Sequence, residues 1–378
     1  ILIMAGGTGG HLFPAAAVAE ELLSRGHSVS LVTDSRGQGF GGNLSEVEVH
    51  RISASGIGGG LLAKASGILS IGLGVIQARR LFARLKPACV VGFGGYPSVP
   101  TMVAATSRGL PTVIHEQNAV LGRANRLVAG RVSVIATSFA EMTGMSDAYR
   151  RKAVLTGNPV RAAFSAVRNA PYPPVGPNGE GVKVLILGGS QGARVFSDVV
   201  PQAFAEMPET LRRRFAVTQQ CRPEDMERAT EAYGNCGMKP DLATFFEDVP
   251  DRMAAAHIVI TRAGASTVAE LAEAGRPAIL VPYPHATDDH QTANARAMEA
   301  EGGAWLIPHD AFTPESLIMR LENFVNLPDT LAEAARKMHA AGGRHAAAAV
   351  ADQVETLSGA RRNGGGGTRA EAVREMAA

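Results

Sequence analysis

The chain opens on ILIMAGGTGGHLFPAAAVAEELLSRG, residues 1–26, in which five of residues 6–11 are glycine or histidine. Ile1, Leu2, Ile3 and Met4 form a short apolar run of the buried-strand kind, while Pro14 and the Ala-, Glu- and Leu-rich residues after it read as a helix. The glycines therefore occupy a strand-to-helix turn. The first amides of a helix lack intrahelical partners, and glycine lets an anion approach that partly positive backbone closely. A phosphate site is one reading; a tight turn that needs positive φ and close helix packing is the other. The dinucleotide fingerprint does not fit, because after Gly7-x-Gly9 its third glycine falls on Leu12. Asp34, shortly after VSLV, imitates a ribose-binding acid and keeps a nicotinamide-dependent oxidoreductase as an alternative.

The unit recurs as VKVLILGGSQGAR, residues 182–194, about half a chain away. At 378 residues the chain is too long for one core, so two such units predict an α/β protein of two doubly wound domains. Strands are read at SVSLVTD, ACVVGFGGYPS, LPTVIHEQN and VSVIATS in the first half, and at RFAVTQQC, DLATFFED, HIVITRAG, PAILVPYP and AWLIP in the second. Thr313 and Pro314 mark a helix start. The domain boundary is expected near TGNPVR (156–161), ahead of the linker-like NAPYPPVGPNGEG (169–181). The glycine run and charged segment after Gly359 read as a disordered tail, and the opening in mid-strand without Met implies that a few residues precede it.

The balance of 37 Lys+Arg against 35 Asp+Glu gives +2, which supplies no global field for nucleic acid, and 5% aromatic residues provide no stacking platforms. Cys89, Cys221 and Cys236 are an odd set without a CxxC pair, so neither a disulfide framework nor a zinc site is indicated. No uninterrupted apolar run reaches the roughly 18 residues needed to span a bilayer, which leaves a soluble or peripheral protein.

Loops at the carboxyl ends of parallel strands meet at one crevice, so GGTGGH (6–11), GFGGYPS (92–98) and HEQNAVLGRANR (115–126) should face one pyrophosphate-like ligand. His11, with a reference pKa of about 6.5, suits the removal of a proton from an attacking hydroxyl; Glu116 is the alternative base, or the group that orients His11. In the second half Ser190 and Gln191 are donors in the repeated loop, and TRAGASTVAELAEAG (261–275) places Thr267 and Glu270 three apart. That pair is either a capping box or a carboxylate presented to ribose hydroxyls. PYPHATDDHQTANA (282–295) offers polar side chains to a sugar, and its consecutive Asp288, Asp289 and His290 suit a helix start better than a metal. GILSIGLGVIQARRLFARLK (67–86) sets Ile68, Leu69, Ile71, Leu73, Ile76 and Phe82 beside four cations. It reads either as a membrane-interface helix or as a core helix ending in solvated charges.

In order and spacing, GGTGGH, GFGGYPS, HEQN, TGNPVR, GGSQGAR, TRAGASTVAELAEAG and DDHQTANA resemble the MurG family of peptidoglycan glycosyltransferases across about residues 1–355. The resemblance implies a GT-B fold, two Rossmann-like domains whose parallel sheets face a deep cleft. It implies residues 1–158 as an acceptor and membrane-associating domain and 159–340 as a UDP-sugar donor domain. A helix at 341–358 would return to the first domain, and 359–378 would be the tail. The implied reaction is an inverting, metal-independent transfer of N-acetylglucosamine from UDP-N-acetylglucosamine to the 4-hydroxyl of undecaprenyl-diphosphate-linked muramyl pentapeptide, without cofactor. The implied place is the cytoplasmic face of the bacterial plasma membrane, on an anionic surface, with other cell-wall synthesis proteins as partners and no nucleic acid.

Carried over by position, Gly6, Gly7, Thr8, Gly9, Gly10, Gly94, Gly95, Tyr96, Asn118 and Asn125 would meet the acceptor diphosphate, with His11 or Glu116 as catalytic base. Arg161, Ser190, Gln191, Arg262, Ala265 and Thr267 would surround the donor, Phe246 would lie over the uracil edge, Glu270 would hold the ribose and Gln291 the sugar. His290 and Ala263 depart from the family's usual glutamine and serine. A GT-B transferase with a soluble or sterol-like acceptor, and a non-catalytic UDP-sugar-binding module, remain as alternatives.

Overall fold

A computed structural model describes residues 1–6, 9–34, 44, 47–54, 61–176, 181–189 and 193–359, without the side chains of 61–65 and 68. The expectations for Gly7, Thr8, Ser190, Gln191, the Ile68 side chain and the tail from 360 lie outside the described residues.

Seven strands form the first sheet: β1 (Leu2–Met4), β2 (Ser30–Thr33), β3 (Val49–Arg51), β4 (Val90–Gly92), β5 (Thr112–Glu116), β6 (Val134–Thr137) and β7 (Ala153–Leu155). Six form the second: β8 (Val182–Leu187), β9 (Phe215–Gln220), β10 (Asp241–Ala243), β11 (Ile258–Thr261), β12 (Ala278–Leu280) and β13 (Ala304–Leu306). Their orders are β3-β2-β1-β4-β5-β6-β7 and β10-β9-β8-β11-β12-β13, and every pairing within them is parallel. Parallel neighbours require crossovers, and the crossing helices cover both sheet faces, which is why the central strands are apolar throughout rather than alternating. Strand order reverses between β1 and β4 and again between β8 and β11.

On one face of the first sheet Leu2, Met4, Val90 and Ile114 pack with Ala78 and Phe82 from the helix Leu61–Leu85. On the other, Ile3, Val91 and Val113 pack with Val18 and Leu22 of the helix Gly9–Ser24 and with Val350 and Val354 of the helix Ala346–Ser358. The last helix is further tied to the first lobe by Arg25, which reaches Asp352 at 2.6 Å and Glu355 at 2.9 Å. In the second lobe Phe196 and Phe204 cover Ile186 and Ile258, while Phe164 and Leu271 cover Val259 and Leu280 from the other side.

All eleven expected strands are present, and Thr313 caps its helix through a capping box with Ser316. The edge strands β3 and β7 are additional. Their three residues lack a buried apolar run, so no periodicity announces them. The first helix begins at Gly9, five residues before Pro14, which lies inside it; His11 therefore occupies its first turn rather than the exit of a loop. Phe82 corrects the membrane reading: it is 3% exposed within the core, because it faces the sheet from the helix Leu61–Leu85.

Candidate functional site

Ligands of open α/β sheets bind outside the strand carboxyl ends where the strand order reverses. In the first lobe that point joins the turn after β1 to the turn after β4. Gly94 and Gly95 have φ of 84° and 72°, and a Cβ built there would lie 3.4 Å and 3.3 Å from the His11 ring. Side chains would be strained by the backbone and would crowd the imidazole, so this loop serves as a bed for His11.

A hydrogen-bonded chain fixes that imidazole. Gln117 Nε2 donates to the Phe93 carbonyl at 3.0 Å and lies 3.1 Å from His115 Nδ1, which leaves Gln117 Oε1 to face His11 Nδ1 at 3.2 Å. An amide oxygen only accepts, so His11 Nδ1 carries the proton and Nε2 keeps its lone pair. Burial pushes the His11 pKa below the ordinary imidazole value, against the opposing pull of Glu116 and the Gln117 contact, so the ring is neutral at pH 7. His115 is fully buried, donates from Nε2 to the Gly157 carbonyl at 2.9 Å and stacks on Phe93. Burial lowers its pKa to about 4, making it a neutral relay.

Glu116 is 2% exposed. Its Oε1 accepts from Asn118 N at 3.1 Å and Asn118 Nδ2 at 3.3 Å; its Oε2 accepts from Gly122 N at 2.9 Å and Asn125 Nδ2 at 2.8 Å. Four donors saturate the carboxylate and fold residues 116–125 around it. Asn125 is itself buried and also donates to the His115 carbonyl, so its amide builds the loop and is not presented to an acceptor diphosphate. Tyr96 and Asn118 are half-buried.

In the second lobe the reversal point carries the helix Ala265–Ala274, whose N-cap is Gly264 with no side-chain cap. Its first amides are thus open to an anion. Ser266 Oγ and Asn158 Oδ1 are buried close to this start without hydrogen-bond partners among the described residues, and Asn158 Nδ2 donates to the Ala265 carbonyl at 3.1 Å. Thr267 is the third helical residue and not the cap, so the expected Thr267–Glu270 capping box does not form. Glu270 instead accepts from Arg161 Nε at 3.2 Å and Nη2 at 2.9 Å. Burial raises the Glu270 pKa above the usual carboxylate value, with Arg161 pulling it down. The Arg161 guanidinium also lies 5.0 Å from the ring centre of Phe13, two residues beyond His11.

Two donor-site expectations change. The Phe246 ring is 5% exposed in the second core with the Arg252 guanidinium 4.1 Å above it, so a nucleobase can meet only its main chain. Arg262 braces the neighbouring loop, donating to the Val281 and Pro282 carbonyls at 3.1 Å and 2.9 Å. Gln291 Oε1 accepts from Tyr283 N at 2.9 Å, which pins the loop after β12 to the helix His290–Ala300. A cavity of about 590 Å³ borders the interlobe segment Gly157–Asn158 and the Ala265, Ala269 and Ala272 face of the helix. Glu270 does not line it.

The lobes meet at these loops. Asn294 bonds Ala119 N of the first lobe and the Ala263 carbonyl of the second, and Arg123 pairs with Asp288 at 2.7 Å. Neither Gln117 nor Asn294 stands out in the sequence, although both lie inside the quoted loops. One amide among several gives no signal until its partners are known.

Residues 1–137 match the glycosyltransferase family 28 N-terminal domain, and residues 183–354 match the family 28 C-terminal domain. A curated relative from Rhodospirillum centenum is 55% identical over 95% of this chain and 94% of its own length; it is named UDP-N-acetylglucosamine–N-acetylmuramyl-(pentapeptide) pyrophosphoryl-undecaprenol N-acetylglucosamine transferase. A relative of the same name from Paramagnetospirillum magneticum is also 55% identical, over 94% of this chain and 96% of its own. Among solved structures, MurG of Acinetobacter baumannii superposes with a TM-score of 0.77 at 30% identity, covering 94% of this chain and 99% of that one. With both lobes matched, and more than half of the residues shared with full-length relatives, the chain belongs to glycosyltransferase family 28.

Proposed function

We infer that this protein transfers N-acetylglucosamine from UDP-N-acetylglucosamine to the muramyl pentapeptide carried on undecaprenyl diphosphate, a step of peptidoglycan synthesis. The observation that carries this reading is the meeting of two unlike sites: an uncapped helix start beside Glu270 in one lobe, and a neutral, oriented His11 in the other. Near-complete coverage of relatives bearing that activity's name supports it.

In the proposed mechanism the second lobe takes the donor. Amides of residues 265–267 face its diphosphate, Glu270 receives the ribose hydroxyls after Arg161 turns to the phosphates, and Gln291 meets the sugar. The first lobe takes the acceptor, with its diphosphate against Gly94, Gly95 and the start of the helix Gly9–Ser24. The acceptor's 4-hydroxyl attacks the anomeric carbon as His11 Nε2 takes its proton. The new C–O bond forms as the bond to phosphate breaks, and UDP leaves with the electron pair toward the helix amides. One displacement inverts the anomeric centre. Glu116, already saturated by four donors, orders the acceptor loop and leaves the base role to His11.

Membrane contact is proposed for the helix Leu61–Leu85. Leu69, Leu73 and Ile76 are 67%, 49% and 50% exposed and recur at helical spacing, with Arg79 and Arg80 one turn beyond and Arg84 a further turn on. Among the described residues no helix is long and apolar enough to cross a membrane, so a peripheral association through this stripe fits a polyprenyl acceptor and a cytoplasmic nucleotide donor.

Glu270→Ala tests the donor assignment. It is expected to raise KM for UDP-N-acetylglucosamine while leaving the acceptor KM near wild type; equal effects on both would remove the ribose role.

A further inference from the structure

We propose that the cavity between the interlobe crossovers and the helix Ala265–Ala274 is a regulatory site for an organic ammonium ion with an apolar body. At about 590 Å³ it has the volume of a small-molecule site. It lies apart from the chemistry: His11, Arg161, Glu270 and Gln291 do not line it, and it meets the donor turn at Ala265. The effect on turnover rests on the function inferred above; the site itself does not.

The walls decide the class of ligand. Val268, Ala269 and Ala272 of the helix Ala265–Ala274, Met298 of the helix His290–Ala300, and Phe139 after β6 form an apolar surface. Four carboxylates also line the cavity. Two are already engaged: Glu21 accepts from Arg25 at 2.8 Å, and Glu273 lies 3.6 Å from Arg168 and accepts from Gly343 N at 3.0 Å. Glu141 and Glu301 are exposed, and their carboxylates have no hydrogen bond or ion pair among the described residues. Arg344 is the one Lys or Arg side chain among the described lining residues, so the balance of charge is negative. An apolar wall with two unpaired carboxylates favours a cation over an anion of the same shape. Asn158, also on the wall, keeps a buried Oδ1 without a partner among the described residues, an acceptor that an N–H of the ligand would satisfy.

The position of the cavity gives an occupant leverage. Both crossovers between the lobes, Gly157–Asn158 and residues 342–345, line it. They run against each other, since a Cβ at Gly157 would lie 3.1 Å from Arg344 Cδ and 3.3 Å from Ala346 Cβ. Phe139 comes from the first lobe and Ala269 from the second, so a ligand touching both stabilises the arrangement it fits and opposes any relative movement that turnover needs. The Gly157 carbonyl accepts from His115, which contacts Gln117, the residue that orients His11. Occupancy therefore lowers kcat without competing with either substrate.

The test titrates the full chain, with methyl-labelled methionine, with 4-phenylbutylammonium, the uncharged 4-phenylbutanol and 4-phenylbutanoate. The ammonium ion is expected to bind in the millimolar range, to move the Met298 methyl signal, and to bind about tenfold tighter than the carboxylate. Glu141→Gln with Glu301→Gln should erase that preference while the alcohol binds as before. Ala269→Leu, which fills the wall, should weaken all three; should it not fold, the surface pair carries the test. In the transfer assay, saturating ammonium should lower kcat about fivefold or more with both KM values within about twofold of those without it. An unmoved Met298 signal, equal binding by the carboxylate, a preference that survives in the double glutamine variant, or competition with UDP-N-acetylglucosamine would each overturn the proposal. Turnover without the probe reports separately on the functional reading, and the Met298 titration still tests the site if that turnover is absent.

Discussion

At the scale of the residue, the reactive state of His11 is set by its neighbours. Gln117 commits Nδ1 to donation and burial keeps the ring neutral, so Nε2 is available as a base at and below neutral pH. His11→Ala is expected to lower turnover about 10²–10⁴-fold with little change in the donor KM, and near-normal turnover at saturating substrates would contradict the base assignment. Gln117→Leu should lie between that variant and wild type, because either tautomer then becomes accessible. The acid limb of kcat/KM should fall below about pH 6.5, the reference value for imidazole, and should vanish in His11→Ala.

His115 makes a separate prediction, on stability. Its pKa is about 4 when folded and near the ordinary 6.5 when unfolded, so between these values the unfolded chain binds a proton that the folded chain refuses. Stability is unaffected above about pH 6.5 and is lost as pH falls toward 4, by on the order of 3 kcal/mol in all. Urea midpoints at pH 7.5 and pH 5 should therefore drop less in His115→Gln than in wild type, whatever that variant costs at pH 7.5. Equal drops would show that His115 is not the group responsible.

At the scale of the element, what the sequence disclosed and what it hid follow one physical rule. Strands buried on both faces, such as β5 and β8, are unbroken apolar runs and are legible as such. The edge strands β3 and β7 are short and partly exposed, and only pairing with a neighbour makes them strands. Glycine and proline mislead at the first helix, since the folded turn tolerates Gly9, Gly10 and Pro14 where propensity alone argues for a later start. Thr267-x-x-Glu270 has the spacing of a cap but the helix starts two residues earlier, so the pattern is local and the outcome tertiary.

The helix Leu61–Leu85 shows the same division. Its composition announces an excess of apolar residues, yet only the fold separates Phe82, which packs on the sheet, from Leu69, Leu73 and Ile76, which face outward. Leu73→Asp with Ile76→Asp should weaken binding to vesicles containing anionic lipid while leaving the melting temperature within a few degrees, since neither side chain is in the core. Unchanged vesicle binding by flotation would move the membrane contact elsewhere.

At the scale of the molecule, two doubly wound lobes of the GT-B type bring their strand-order reversals to one meeting place. The repeated strand–glycine–helix unit makes that architecture legible in the order of residues alone. The contacts between lobes are not legible there, because Asn294 and Ala119, or Arg25 and Asp352, are far apart in the chain and carry no shared pattern. Those contacts tie the lobes together: the last helix returns to the first lobe, and the Asn294 hydrogen bonds join the loops on which donor and acceptor are proposed to lie.

The most direct test of this account is to incubate the protein with radiolabelled UDP-N-acetylglucosamine and a short-chain polyprenyl-diphosphate muramyl pentapeptide in EDTA, and to follow label into the lipid phase. The account predicts transfer at full rate despite the chelator, reduced to near background in the His11→Ala protein. Absence of label in the lipid phase, with UDP binding intact, would contradict it and leave only the donor half of the reading standing.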